Sequence, residues 1–165
     1  GPQAFSEMES SFLKNLAKQQ QPDIFIDVHS GTLGFYTPYS YSTNVPKTLA
    51  TSQSLDIINK LNPKYCNCPA GGAGEVSGYL AYGTAQDYLF ENQHVPYSIV
   101  LEVFDGNTYK EQQHHHHQQR KNHNNKSSSN NSNKDEQEDP MYCLKSSNPI
   151  DAQMLEATCE NWSSA

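Results

Sequence analysis

Between Glu111 and Asp139 the chain runs for 29 residues without one apolar side chain. Such a stretch cannot bury enough surface to offset the entropy of ordering it, so it is expected to be a disordered insertion. It therefore splits the 165-residue chain into a folding part before it and a shorter one after it. Its four consecutive histidines, His114 to His117, read as a repeat expansion in a surface loop, with weak transition-metal binding as the alternative. Without the tract, 136 residues remain, enough for one domain with a real core that buries about two thirds of its unfolded surface. The whole chain carries a net charge of −7, and its one arginine, Arg120, lies inside the tract. An acidic folding part with scattered lysines argues against nucleic acid or an anionic membrane as partner. No apolar run reaches the ~18 residues of a membrane span, and no secretory signal pattern sits at the start. The chain opens on Gly1-Pro2-Gln3 without Met, so the expectation is a cut amino terminus from which localisation cannot be read.

The folding part alternates helical and strand patterns. Ser6-Glu7-Met8-Glu9 reads as a capping box, followed by Phe12, Leu13 and Leu16 on one helical face and an end near Gln20. Asp23 to His29 carries Ile24, Ile26 and Val28 alternating with Phe25 and Asp27, the pattern of a mostly buried strand. Phe35-Tyr36 before Pro38 suggests a short second strand. A helix starting at Pro46 and carrying Leu49, Leu55, Ile58 and Leu61 should stop at Asn62-Pro63. Lys64 to Gly78, with four glycines and Pro69, reads as loop. Thr84 with Asp87 can cap a helix to about Gln93, and Tyr97 to Phe104 has the apolar density of a central strand. Asn148-Pro149 and Asp151 open a last helix with Met154, Leu155 and Trp162. Together these give an α/β fold, a β-sheet with helices on both faces.

Four cysteines allow three pairings. Cys66 and Cys68, one residue apart, look too close to bridge each other comfortably, whereas Cys143 and Cys159 are far enough apart to pair. Three N-glycosylation triplets, at Asn125, Asn130 and Asn161, favour a secreted or endomembrane lumenal location.

Two residues carry the strongest chemical signal. His29 ends a buried strand pattern, where ligands collect in open α/β sheets; the alternative is a histidine satisfied by a backbone carbonyl. Glu102 interrupts Ile99-Val100-Leu101-Glu102-Val103-Phe104, and an ionised carboxylate there costs several kcal/mol unless paired or facing a polar site. A salt bridge is the other reading of Glu102, although cations are few in the folding part. Tyr79, in a glycine-rich loop, is either a mobile hydroxyl near a substrate or a packing aromatic.

Taken in order, several segments resemble the C-terminal half of a zinc carboxypeptidase of the A/B type. Gly1 to Glu7 is similar to the lead into a helix before the third zinc ligand, and Asp27-Val28-His29-Ser30-Gly31 to the strand ending in that ligand. Tyr79 to Tyr88 resembles the substrate-binding loop and the following helix, and Pro96 to Val103 the strand with the catalytic glutamate. The resemblance implies a mixed β-sheet with helices on both faces, as a partial domain. It implies residues 1–110 as the C-terminal half of the catalytic domain, 111–139 as an insertion and 140–165 as its closing helix. It implies one zinc ion, with His29 as a ligand, and peptide or protein C-termini as substrate. Glu102 would be the general base on zinc-bound water and then the proton donor to the leaving amine. Tyr79 would contact substrate, and Gln86 would line the pocket for the C-terminal side chain with a lean toward polar or basic ones. Gly31 departs from the Tyr that digestive members carry at this position.

The family's first two ligands come from a His-x-x-Glu motif, and this sequence contains none. The arginines that hold the substrate carboxylate have no counterpart either. The expectation is thus a fragment of a carboxypeptidase, inactive alone. The rivals are a non-catalytic carboxypeptidase-like binding or scaffold protein, and an unrelated α/β domain whose His-rich loop handles metal. Deleting 111–139 should leave the free energy of unfolding unchanged to within about 1 kcal/mol, because loop-closure entropy varies only logarithmically with length. Urea titration of the deleted and full chains, with hydrogen exchange across the tract, measures this; strong protection in the tract would contradict it.

Overall fold

The computed structural model describes residues 1–106, 147–149 and 151–163. Among these lie α1 (Met8–Gln20), β1 (Ile24–His29), β2 (Leu33–Thr37), α2 (Leu49–Tyr65), β3 (Ala70–Gly72), α3 (Ala73–Val76), α4 (Ala85–Asn92), β4 (Tyr97–Val103) and α5 (Ala152–Ser163). The fold is mixed α/β, with a four-stranded mixed sheet in the order β1-β4-β2-β3. The expected insertion at Glu111–Asp139 and a Cys143 bridge lie outside the described residues. The chain divides into two compact units, Gly1–Val28 with Gly34–Leu101, and His29–Leu33 with Glu102–Ala165.

In the first unit, Tyr97 N–H donates to the Asp23 carbonyl at 3.3 Å, joining the amino ends of β1 and β4 and making the pair parallel. β2 and β3 are also parallel, with Phe35 opposite Ala70 and Thr37 opposite Gly72. Ala17 of α1, Leu89 of α4 and Val95 form a buried cluster, with Phe25 and Tyr88 packed on it. Phe25 thus anchors one face of β1 beneath two helices.

Several expectations need correction. α1 is capped at Glu7 without a side-chain bond, so the Ser6–Glu9 box is not made; Ser6 Oγ donates to Glu7 Oε1 instead. Its buried side runs through Ala17, whereas Phe12 and Leu16 are exposed, because packing on Leu89 and Val95 rotates the stripe. β1 is not mostly buried: Ile24, Ile26 and Val28 are exposed by 59, 54 and 61%, because among the described residues the apolar cluster packs on its Phe25 side.

Helix α2 starts at Leu49, where the Thr48 hydroxyl accepts from Thr51 N–H at 3.1 Å. It passes through Pro63 to Tyr65 rather than stopping there. Proline removes one helical donor, and Asn62 secures the chain just beyond, its carbonyl accepting from Cys66 and Asn67 N–H and its side chain bonding both ways with the Cys68 backbone. Asn67 takes a φ of 52°, and this tight turn brings the Cα atoms of Cys66 and Cys68 to 5.1 Å, within disulfide range, so the two are bonded after all. Cys159 is free and exposed.

The glycine-rich stretch is also more ordered than loop, since it holds β3 and α3. A Cβ on Gly72 would sit 2.6 Å from Val45 Cγ2, so glycine there permits close approach rather than mere flexibility.

A strap at residues 39–41 is pinned to α4. Asp87, buried, accepts Ser40 N–H on both carboxylate oxygens (3.0 and 2.9 Å) and Tyr41 N–H at 3.2 Å. Its own N–H donates to Thr84 Oγ1, the helix cap that the sequence pattern anticipated. Burial pushes the Asp87 carboxyl above its ordinary value, outweighing the backbone donors of Ser40 and Tyr41, which pull it down. The Tyr41 hydroxyl donates to Glu91 Oε1 at 2.7 Å, and that bond is the main cause holding its pKa up to about 12.

A carboxyl with a raised native pKa favours folding most when protonated. Its contribution is fully present below the unfolded value of 3.8 and is lost as pH rises through the native value. The stability difference between wild type and Asp87→Asn, read from urea midpoints across acid pH, should therefore shrink as pH increases. A difference that grows with pH would show the carboxylate to be net stabilised by its N–H partners.

Candidate active site

His29 is the last residue of β1 and Glu102 the last but one of β4. The strands are parallel neighbours, so both residues lie at carboxyl ends, where open α/β sheets present functional groups. Both belong to the second compact unit. There the Gly31 N–H donates to the Phe104 carbonyl at 2.9 Å, tying the turn after His29 to the residues that follow Glu102. Gly31 takes a φ of +130°, a conformation that side chains other than hydrogen rarely adopt, which is the local reason for glycine at this position.

The His29 imidazole is exposed. Glu102 is half-buried, and its Oε2 is enclosed from solvent. Two further contacts hold this end. Trp162 of α5 donates its indole N–H to the Val103 carbonyl at 2.9 Å, fixing the backbone next to Glu102. Ser30 Oγ bonds Asn148 Oδ1 at 3.4 Å, beside His29. The helix carrying Trp162 begins where Asp151 Oδ1 accepts from Met154 N–H at 2.8 Å. Trp162 was read from sequence only as an apolar helix residue, and no local pattern announces its bond to β4.

The other two sequence candidates belong to the first unit. Tyr79 is 67% exposed in a loop held by Ser77 Oγ donating to the Tyr79 carbonyl at 2.9 Å and by Ala81 N–H donating to the Ser40 carbonyl at 3.0 Å. Gln86 is 1% exposed. Its amide nitrogen donates to the carbonyls of Tyr36 (2.9 Å) and Ser98 (3.2 Å), and its oxygen accepts from Ser40 Oγ at 3.0 Å. Both amide protons are committed to backbone, so the side chain braces β2 against β4.

A catalytic zinc needs three protein donors and an open position. Among the described residues no group of three or more His, Cys, Asp or Glu side chains could hold a metal ion. His29, an exposed imidazole at a strand end, has the chemistry of one such donor, and the described residues alone do not complete the set.

Comparison with known proteins defines the class. The family model for zinc carboxypeptidases, M14 peptidases, matches residues 1–128, and the chain belongs to that family. The fold is shared with bovine thrombin-activatable fibrinolysis inhibitor solved in complex with tick carboxypeptidase inhibitor, at 23% identity and a TM-score of 0.51, over 61% of this chain and 36% of that one. A crystal structure of thrombin-activatable fibrinolysis inhibitor matches at 24% identity and a TM-score of 0.53, over 64% of this chain and 28% of that one. The chain therefore spans about a third of the length of the solved structures it matches. No curated protein sequence matches it.

Replacing Gln86 with Leu should destabilise the fold by roughly 2–4 kcal/mol, because two buried carbonyls lose their donors. Urea unfolding with an unchanged m-value measures this. A loss below about 0.5 kcal/mol would mean that β2 and β4 are held together without the amide.

Proposed function

We propose that this chain supplies part of the active site of a zinc-dependent carboxypeptidase that removes C-terminal residues from peptides or proteins. The observation that carries the reading is the placement of His29 and Glu102 at the carboxyl ends of adjacent parallel strands in a chain of the zinc carboxypeptidase family. His29 is one zinc donor, and the remaining donors come from polypeptide outside residues 1–165. Zinc held by His29 and those further donors would supply Lewis-acid chemistry at the scissile carbonyl. Glu102 takes the proton of the attacking water and delivers it to the leaving amine. Its enclosed Oε2 keeps bulk water away from one carboxylate oxygen.

Tyr79, exposed on its loop, contacts the substrate. Gln86 acts on the substrate pocket indirectly, by fixing the Ser40 strap and α4. Residues 1–110 and 140–165 form one partial catalytic domain interrupted by the insertion at 111–139. A secreted or lumenal setting agrees with the Cys66–Cys68 disulfide and the three glycosylation triplets.

The test uses the protein assembled with polypeptide that restores the other donors. Glu102→Gln keeps the shape of the side chain and should retain zinc while lowering turnover of peptides with a free C-terminus by roughly 10²–10⁴-fold. His29→Ala should instead lower zinc content, read by metal analysis, together with the rate. Near-normal turnover in Glu102→Gln would make Glu102 a structural carboxylate. Zinc-free, inactive wild-type assemblies would favour a carboxypeptidase-like binding or scaffold protein.

A further inference from the structure

The Cys66–Cys68 disulfide takes no part in the proposed peptide cleavage, and it is poorly placed for a structural cross-link. It closes a loop with one residue, Asn67, between its cysteines. The entropy that a cross-link removes from the unfolded chain grows with the length of the loop it closes, so this bond constrains little of the chain. The turn it spans is already held without it. The Asn62 backbone carbonyl accepts from Cys66 N–H at 3.0 Å and from Asn67 N–H at 2.7 Å. The Asn62 side chain donates to the Cys68 carbonyl at 2.8 Å and accepts from Cys68 N–H at 3.0 Å. One residue on, the Pro69 carbonyl accepts from Phe35 N–H at 3.0 Å, which fixes the chain to β2 as β3 begins. The end of α2 and the start of β3 are thus positioned by hydrogen bonds that involve no sulfur.

The Asn62 amide also suits the reduced state. Cys68 Sγ lies 3.4 Å from Asn62 Oδ1. Sulfur in a disulfide has no proton to give, but a Cys68 thiol would donate to that oxygen. An amide oxygen has two lone pairs and can serve the thiol and Cys68 N–H together. Both oxidation states therefore fit one backbone. Cys66 and Cys68 are half-buried rather than enclosed, which leaves them open to a small thiol. Accessible disulfides are the labile ones, and the fold here does not depend on the bond.

We propose that Cys66–Cys68 is a reversible thiol–disulfide exchange site whose co-reactant is a small thiol couple of the glutathione kind. A thiolate attacks one sulfur, forming a mixed disulfide and freeing the other cysteine as a thiolate, which takes up a proton. A second thiolate then displaces the protein sulfur from the mixed disulfide. Two electrons and two protons have passed to the protein, leaving two cysteine thiols and one small-molecule disulfide. Oxidation runs the same steps backwards. Neither zinc nor the roles of His29 and Glu102 enter the exchange.

The test equilibrates the full chain, without oxygen, in mixtures of reduced and oxidised glutathione. The ratio of reduced glutathione squared to oxidised glutathione spans about a thousandfold, reaching the poise of the cytosolic pool at its reducing end. Acid quenching, alkylation and mass spectrometry of the tryptic peptide Tyr65–Lys110, which contains these two cysteines and no other, read the state of the pair. The expected result is passage from disulfide to dithiol within this range, the dithiol-to-disulfide ratio rising about tenfold for each tenfold step. In the oxidising mixture, the Cys66→Ser/Cys68→Ser variant should keep the wild-type circular dichroism and urea midpoint. A disulfide that persists at the reducing end marks a structural bond and overturns the proposal. A pair that stays reduced throughout, or a cysteine stably capped by glutathione, overturns it equally. If the serine variant loses native structure, Cys66→Ala/Cys68→Ala repeats the comparison, and loss in both makes the bond a structural one.

Discussion

The carbonyls of Tyr36 and Ser98 lie on adjacent strands, and one buried amide, that of Gln86, donates to both. Ser98 Oγ returns a bond to the Gln86 carbonyl at 3.0 Å, and Ser40 Oγ meets its side-chain oxygen. One residue at the start of α4 therefore sets helix, β2, β4 and strap relative to one another. The next residue, Asp87, holds the same strap through backbone N–H groups. Buried polar groups of this kind cost little while every partner is present and a great deal when one is removed. The strap in turn accepts Ala81 N–H, so the loop bearing Tyr79 takes its anchor from the same pair of side chains.

β4 connects this framework to the candidate chemistry. Its amino half carries Ser98, locked to Gln86, and its carboxyl end carries Glu102, with the Val103 carbonyl held by Trp162. The strand is fixed at both ends by side-chain donors to its backbone. These two bonds fix the backbone on either side of Glu102.

How much of this was legible in the sequence varies by element. β4 and β2 could be read because dense apolar runs leave few alternatives, and α4 because Thr84 and Asp87 stand at capping spacing. His29 and Glu102 could be singled out as a histidine at a strand end and a carboxylate in an apolar run. The exposed face of α1 could not, since Phe12, Leu13, Leu16 and Ala17 together span too wide an arc for periodicity to choose a side. β3 and α3 were hidden because glycines that allow close packing at Gly72 look the same, in sequence, as glycines that loosen a loop. The Cys66–Cys68 bridge depends on a left-handed turn at Asn67 that spacing alone does not reveal. The commitment of both Gln86 amide protons to backbone is a tertiary fact without a local signature.

The described fold rests on buried hydrogen bonds and an apolar cluster. A structural zinc site contributes to stability when several donors converge, because the ion binds the native state alone and shifts the equilibrium in proportion to its affinity. Among the described residues no three such donors converge, and Gln86, Asp87 and the Ala17–Leu89–Val95 cluster hold the fold. Affinity for such an ion rises steeply only when several donors are fixed together.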